Sequence, residues 1–158
     1  CIVNDVWGLQ KDKNMAEVIS KTGAGVIVMH NSDSTEYKDL MGDIIRFLKE
    51  SIKMAENAGV RRESIVIDPG IGFGKTLEHN LEVMRRLKEL NSLNVPVLIG
   101  TSRKSLIGNV LELPINERLE GTAATVTLGI ANGADIVRVH DVKEMVRVAR
   151  MTDAMVRI

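Results

Sequence analysis

Polar and charged side chains follow apolar runs at several points of the sequence. Asp68 ends the run "IVID" and precedes a glycine-rich stretch that closes in Gly-Lys-Thr at 74–76. Arg138 stands within "IVRVHD", where a covered charge needs a carboxylate or phosphate partner. The remaining strand-end groups are Asn4-Asp5, Met29-His30 and Thr101-Ser102-Arg103-Lys104. A carboxylate can accept hydrogen bonds from the N–H face of a flat heterocycle, while cations bind its carbonyl and a phosphate tail.

The stretch after Asp68 is one residue away from a nucleotide-binding P-loop. Gly74-Lys75-Thr76 fits the pattern, but the required first glycine is Pro69, which has no N–H to offer a phosphate. Three glycines spaced by two also miss the dinucleotide fingerprint. We therefore predict that the Asp68 carboxylate, rather than the glycine-rich stretch after it, binds the ligand. Lys75 then has no ligand role, and its replacement by Ala is predicted to matter little; His79 is predicted to lie on a solvated helix face.

Short apolar runs alternate with amphipathic segments, which predicts strand–helix units. Predicted strands are 2–3, 26–29, 65–67, 95–99 and 136–139, and predicted helices are 37–58, 77–90, 117–131 and one that Asp141 caps with Glu144 as its capping-box partner. Segments 31–34 and 108–114 are predicted to be loops. Because the runs are continuously apolar, they are typical of parallel strands covered on both faces, whose carboxyl ends share one ligand-binding rim.

Two α/β architectures fit five such units. One is a doubly wound open sheet, and the other is most of a (β/α)8 barrel, which normally needs about 250 residues. The length of 158 residues favours the open sheet, whereas the polar strand ends favour the barrel.

Composition excludes several classes of function. Lys plus Arg equals Asp plus Glu at 21 each, and the chain has only four aromatic residues, so we expect no nucleic-acid partner and no membrane association. The single cysteine excludes an internal disulfide framework, and a cytoplasmic setting is the default expectation. Because the chain does not begin with Met, we expect it to start inside a larger protein.

Six motifs together resemble the dihydropteroate synthase family of the folate pathway. They are "VNDV", "VIVMH", "DPGIGFGK", "GTSRKS", "ERLEGT" and "VRVHDV", in this order. The resemblance covers essentially the whole chain and implies that residues 1–158 are the C-terminal portion of a pterin-binding TIM (β/α)8 barrel, about strands 4–8 with their helices. With the first units absent, the isolated fragment is expected to be inactive.

The resemblance also implies an activity and a set of site residues. The enzyme would transfer a dihydropterin-6-methyl group from its diphosphate ester to p-aminobenzoate, releasing diphosphate; the alternative is the folate-binding barrel of a methyltetrahydrofolate methyltransferase. Asp68, Lys104 and Arg138 would be catalytic. Arg138 and His140 would hold the diphosphate, and Ser105 would lie on the p-aminobenzoate side, where sulfonamides compete. The implied substrate-binding positions are Asn4, Val6, Met29, Asp68, Phe73, Gly100, Arg103, Lys104, Ser105, Arg138 and His140.

A metal ion and a partner are implied by the resemblance alone. Mg²⁺ assists departure of the diphosphate in that family, chiefly through an asparagine on the first strand, which has no equivalent in this chain. No metal ligand is therefore predicted within residues 1–158. A homodimer formed through the later helices is also expected.

Overall fold

Five parallel strands alternate with six α-helices in the computed structural model, which describes residues 1–157. The strands are β1 (Ile2–Asp5), β2 (Gly25–Met29), β3 (Ile65–Asp68), β4 (Leu98–Ile99) and β5 (Ile136–Val137). The helices are α1 (Met15–Thr22), α2 (Leu40–Asn57), α3 (Leu77–Arg86), α4 (Ser105–Leu111), α5 (Leu119–Ala131) and α6 (Val142–Val156). Three 3₁₀ segments, Arg62–Ser64, Leu87–Leu93 and Ile115–Glu117, join them.

The strands lie side by side in chain order. β2 pairs with both β1 and β3, β4 pairs with β5, and a parallel bridge between Ile67 and Val97 joins the two groups. A doubly wound sheet would reverse its strand order at a switch point, and this sheet does not. Arg138, which follows β5, donates a hydrogen bond to Asn4 on β1 (2.6 Å), so the sheet must curve back toward its first strand. The fold is therefore part of a (β/α)8 barrel, and the open sheet favoured by length is wrong.

The core lies between β2 and β3 on one side and the long helix α2 on the other. Val26, Val28, Ile65 and Ile67 are fully buried against the helices, whereas Ile27 and Val66 on the other face are only partly buried. The prediction that the strands are covered on both faces is therefore wrong for this chain. α2 turns its predicted apolar stripe toward them, and the stripe residues Leu40, Ile44, Leu48 and Ile52 are buried. The Asp39 side chain accepts a hydrogen bond from the N–H of Gly42 and caps the helix.

The structure corrects several predicted boundaries. α1 was not predicted, although Gly23 in the left-handed conformation ends it in the ordinary way. Residues 108–111 belong to α4 rather than to a loop. β4 and β5 are each two residues long, shorter than the apolar runs that contain them, because only those residues form the continuous ladder between the two strands, while Val97 makes a single bridge to Ile67.

Asp141 precedes α6 as predicted, but its side chain makes no capping hydrogen bond. The predicted capping box is wrong because the Asp141 carboxylate binds Arg103 instead. Separately, no helix within residues 1–157 combines the length and apolar character needed to span a membrane.

Candidate active site

The carboxyl ends of the five strands place the polar groups of the sequence at one rim. Asp68 closes β3, and its side chain is 1% exposed. Its Oδ1 accepts the N–H of Gly70 (2.8 Å) and its Oδ2 accepts Arg138 NH2 (3.1 Å). Burial raises the pKa of the Asp68 carboxyl, and the Gly70 N–H and the charge of Arg138 act in the opposite direction. An acid in this setting offers oxygen acceptors that are largely shielded from solvent.

Arg138 links the two ends of the curved sheet. Its guanidinium donates to Asn4 Oδ1 on β1 (2.6 Å) and to Asp68 Oδ2 on β3 (3.1 Å), so it has the carboxylate partner that its sequence context predicted. The side chain is 43% exposed, which leaves part of the guanidinium facing solvent above the carboxylate. The Arg138 side chain can therefore bind a second anion without leaving the rim.

Gly100, at the end of β4, makes room for Arg138. A Cβ on Gly100 would lie 2.9 Å from Arg138 NH2, which is too close for two unbonded heavy atoms. The family resemblance implied that Gly100 is a substrate-binding position. In the structure, the space above Gly100 holds the guanidinium.

Lys104 lies over the ring of Phe73, close enough to Asp68 for the two charges to interact. Its amine donates to the carbonyl of Ile71 and sits 4.7 Å from the centre of the Phe73 ring. Burial lowers the pKa of Lys104, while the negative charge of Asp68 raises it. With Arg138 and Lys75, Lys104 makes three cationic side chains whose charges act on Asp68, so the site carries a positive excess suited to an anionic substrate.

The turn that presents Lys104 and Ser105 is held in an uncommon conformation. Arg103 has φ of +58°, a left-handed conformation that is unfavourable for a residue with a long side chain. Arg118 donates to the carbonyls of Arg103 (2.9 Å) and Lys104 (3.2 Å) and so fixes the turn. The Arg103 guanidinium is bound to Asp141 through two hydrogen bonds. Arg103 is thus already paired at the rim.

His140 is held at the same rim by Ser102. The Ser102 hydroxyl accepts the backbone N–H of His140 (3.1 Å) and lies 2.9 Å from its Nδ1. This places the imidazole beside the turn at 101–104, where its other nitrogen can meet a ligand.

The other predicted positions are near the rim but differ in exposure. Met29 is fully buried at the end of β2, and Val6 is 38% exposed just after β1. Ser105 is an exposed residue at the first position of α4.

Three residues with no predicted ligand role make defined contacts in the structure. Asp5 accepts the N–H groups of Trp7 (3.0 Å) and Leu9 (2.7 Å) and so holds the turn after β1. His79 is not on a solvated face: it completes a capping box with Thr76 and packs edge-on against Tyr37. Lys75 is half-buried and bonded to His30 and two backbone carbonyls, contacts that the sequence did not predict. The one signal for Lys75 in the sequence is its place directly behind three glycines, a context that was rejected as a phosphate loop and left Lys75 without a predicted role.

These contacts also remove the P-loop hypothesis. The Lys75 amine already has three acceptors from the protein. The N–H of Gly70 is bonded to the Asp68 carboxylate, whose charge would repel a phosphate group placed at this loop.

Comparison with known proteins matches this geometry to one family. A family model described as pterin binding enzyme matches residues 1–140. The chain is 55% identical over 157 residues to a dihydropteroate synthase of Clostridium beijerinckii and 51% identical over 154 residues to one of Bacillus subtilis. It covers 58% and 54% of these relatives, and 99% and 98% of its own length is matched.

Solved structures of dihydropteroate synthases match almost the whole length of this chain. A dihydropteroate synthase of Clostridium difficile, crystallised in the presence of pteroic acid, superposes with a TM-score of 0.97 at 60% identity; the match covers 99% of this chain and 60% of that one. A Yersinia pestis dihydropteroate synthase in complex with a sulfonamide drug gives a TM-score of 0.92 at 38% identity, over 98% of this chain and 58% of that one. The curved sheet, its buried aspartate and these matches together show that the chain belongs to the pterin-binding enzyme family, of whose members it spans a little more than half.

Proposed function

We propose that the protein to which this chain belongs is a dihydropteroate synthase. The observation that carries the proposal is the Arg138 guanidinium, bound at once to Asp68 and to Asn4 at the rim of the sheet. In the proposed reaction, the amine nitrogen of p-aminobenzoate attacks the methylene carbon of 7,8-dihydropterin-6-methyl diphosphate. A C–N bond forms, the C–O bond breaks, diphosphate leaves with the electron pair, and the amine gives up one proton.

The pterin ring would lie against Asp68, Asn4 and Lys104. Asp68 offers acceptor oxygens for the N–H groups of the ring, and hydrogen bonds to a charged partner are about twice as strong as neutral ones. Asn4 supplies an amide at the far side of the sheet, while Lys104 can donate to the ring carbonyl. Phe73 would form an apolar wall, whereas Met29 is fully buried and presents no surface to a ligand in this structure.

Catalysis by these groups would be electrostatic. As diphosphate leaves, positive charge develops on the pterin methylene, and the buried carboxylate of Asp68 stabilises it through the ring. The part of Arg138 that faces solvent, together with His140, would stabilise the departing anion. Ser105 and Arg103 lie on the proposed p-aminobenzoate side.

Mg²⁺ is an expectation from the family alone. Among residues 1–157, no group of three or more His, Cys, Asp or Glu side chains is placed to hold a metal ion. The roles given above are those of this chain's own side chains.

The decisive experiment uses a chimera in which residues 1–158 replace the matching segment of the Clostridium beijerinckii relative, which we call the complemented barrel. Diphosphate release is measured with dihydropterin diphosphate in the presence and absence of p-aminobenzoate. The proposal expects release that requires both substrates. Saturable pterin binding with no release would contradict it and would instead favour a folate-binding methyltransferase barrel.

The 158-residue chain serves as the comparison in the same assay. Within the described residues, β1 and β5 each pair on one side alone, and their side chains Ile2 and Ile136 are 65% and 40% exposed. Unpaired strand edges invite aggregation, and the cavity lacks part of its wall. We therefore expect negligible turnover from the chain by itself.

A further inference from the structure

Lys75 is an ionisable side chain beside the site that the proposed chemistry does not use. Its amine lies 2.8 Å from His30 Nδ1, 3.1 Å from the carbonyl of Gly70 and 3.0 Å from the carbonyl of Phe73. A lysine ammonium has three N–H donors, and these three acceptors engage all of them. The amine is therefore bound to the protein and has no donor left for a substrate.

His30 is a fixed, neutral acceptor for this amine. Its side chain is 3% exposed, with the ring edge-on against Phe47 at 4.9 Å. Burial and the nearby charge of Lys75 lower the pKa of His30 to about 3, so the imidazole is uncharged near neutral pH. Its backbone N–H donates to the carbonyl of Asp68 (2.9 Å). The acceptor is thus attached to the sheet at the level of the catalytic carboxylate.

The loop at 69–74 lies directly on His30. Gly70 has φ of +71°, and a Cβ there would lie 1.9 Å from the carbonyl oxygen of His30, so another residue could not occupy this position without moving the loop. Lys75 binds the carbonyls of Gly70 and Phe73 together, which closes the loop on itself. Burial lowers the pKa of the Lys75 amine to about 7. Holding the amine in its charged form within the protein therefore costs free energy.

The loop in turn carries two contacts to Lys104. The Phe73 ring lies under the Lys104 amine at 4.7 Å, and the carbonyl of Ile71 accepts from the same amine. A displacement of the Phe73 backbone would therefore move the ring and the partner of Lys104.

We propose that Lys75 is a positioning residue: by binding His30, Gly70 and Phe73 it holds the 69–74 loop so that Phe73 and Lys104 keep their places around Asp68. Lys75 itself touches no substrate. The kinetic test of this inference rests on the proposed function. A second test, measured as pterin affinity, does not depend on that function.

The test combines Lys75→Met with Phe73→Ala in the complemented barrel. Methionine removes the charge and the donors but keeps a similar length. We expect Lys75→Met to lower kcat/KM about tenfold to a hundredfold, because small misplacements of site groups carry losses of this size. In the Phe73→Ala background the same change should cost at least about threefold less, because the part of its effect that passes through Phe73 is already lost and only the part through Ile71 and Lys104 remains. Unfolding in urea should show similar destabilisation by Lys75→Met in both backgrounds.

Controls separate positioning from general loss of structure. Lys88→Met removes an exposed lysine on the 3₁₀ segment after α3 and should leave both kcat/KM and pterin affinity unchanged. If Lys75→Met does not fold, His30→Gln removes the ring acceptor of the same amine and is put through the same cycle. An equal loss in both backgrounds, or unchanged kcat/KM in a folded Lys75→Met protein, would overturn the proposal.

The two proposals fail in different ways. Absence of diphosphate release from the unsubstituted complemented barrel counts against the proposed function. In that case the same cycle is measured as the dissociation constant of a pterin, and additive effects of Lys75→Met and Phe73→Ala on that constant reject the positioning role.

Discussion

Replacing Asp68 by Asn removes one charge from the centre of the site while keeping its shape. The carboxylate accepts the Gly70 N–H at 2.8 Å and Arg138 NH2 at 3.1 Å. Asparagine retains an oxygen for Gly70 but turns an NH2 group toward Arg138, so a donor then faces a donor. The ring of a bound pterin loses a charged acceptor at the same time.

The size of the effect follows from the charge of the acceptor. A hydrogen bond to a charged group contributes about 1.5–3 kcal/mol, and about 1.4 kcal/mol corresponds to a tenfold change in affinity. We therefore expect the pterin dissociation constant of Asp68→Asn to rise about 10-fold to 150-fold. The effect on folding should be smaller, about 1 kcal/mol or less, because Arg138 is 43% exposed and can be rehydrated when its partner becomes neutral.

Calorimetric titration of a pterin into the complemented barrel measures this change. The matched control is Asp135→Asn, since the Asp135 carboxylate also accepts a backbone N–H, that of Val97 at 2.9 Å, but at the opposite end of the strands. The control should bind pterin as the parent does. A folded Asp68→Asn protein with unchanged affinity would refute the assignment of Asp68 as the pterin-binding acid.

Three further predictions test neighbouring features. Gly100→Ala should displace the guanidinium of Arg138, because its NH2 would lie 2.9 Å from the new Cβ. The dissociation constant for dihydropterin diphosphate should rise about tenfold, while the melting temperature stays near that of the parent. Unchanged affinity would show that Arg138 does not need this space. Arg103→Ala and Asp141→Ala should change the KM for p-aminobenzoate by similar factors, and the double variant should lose no more than either, because the two side chains are bound to each other; additive losses would show that they act separately. Between its lowered pKa of about 3 in the folded protein and its ordinary pKa of 6.5, His30 binds fewer protons in the folded state than in the unfolded state. The free energy of unfolding should therefore fall as the pH falls through this range, by about 2 kcal/mol at about pH 5, and urea unfolding of His30→Gln should lack this component. An equal pH dependence in the variant would contradict the assignment.

Local patterns in the chain were sufficient to predict most of its secondary structure. The spacing of Leu40, Ile44, Leu48 and Ile52 predicts the buried stripe of α2, because a helix repeats its faces every 3.6 residues whatever the rest of the fold does. Continuous apolar runs likewise predict parallel strands, and polar residues at their ends predict a shared rim. The motifs around Asp68, Lys104 and Arg138 indicated the family from the letters alone.

Contacts between distant segments could not be read from those patterns. The choice between an open sheet and a barrel depends on strand order and curvature, and both are set by pairings such as Ile67 with Val97 and by the reach of Arg138 to Asn4. Asp141 has a capping residue's sequence context, yet its carboxylate binds Arg103 because the turn after β4 brings that guanidinium close.

Lys75 shows the same division most clearly. Its neighbours in the sequence are glycines before it and a threonine after it, a pattern that predicts either a phosphate-binding lysine or no ligand role at all. The pattern can say no more, because it records only which residues are adjacent in the chain. Only the packing of β2 against β3 places His30 under the loop and gives the amine its acceptors. The residue types of the site are thus evident in the sequence, whereas the partner of each charge is decided by the tertiary structure, because a buried charge binds whichever group the fold brings within hydrogen-bonding distance.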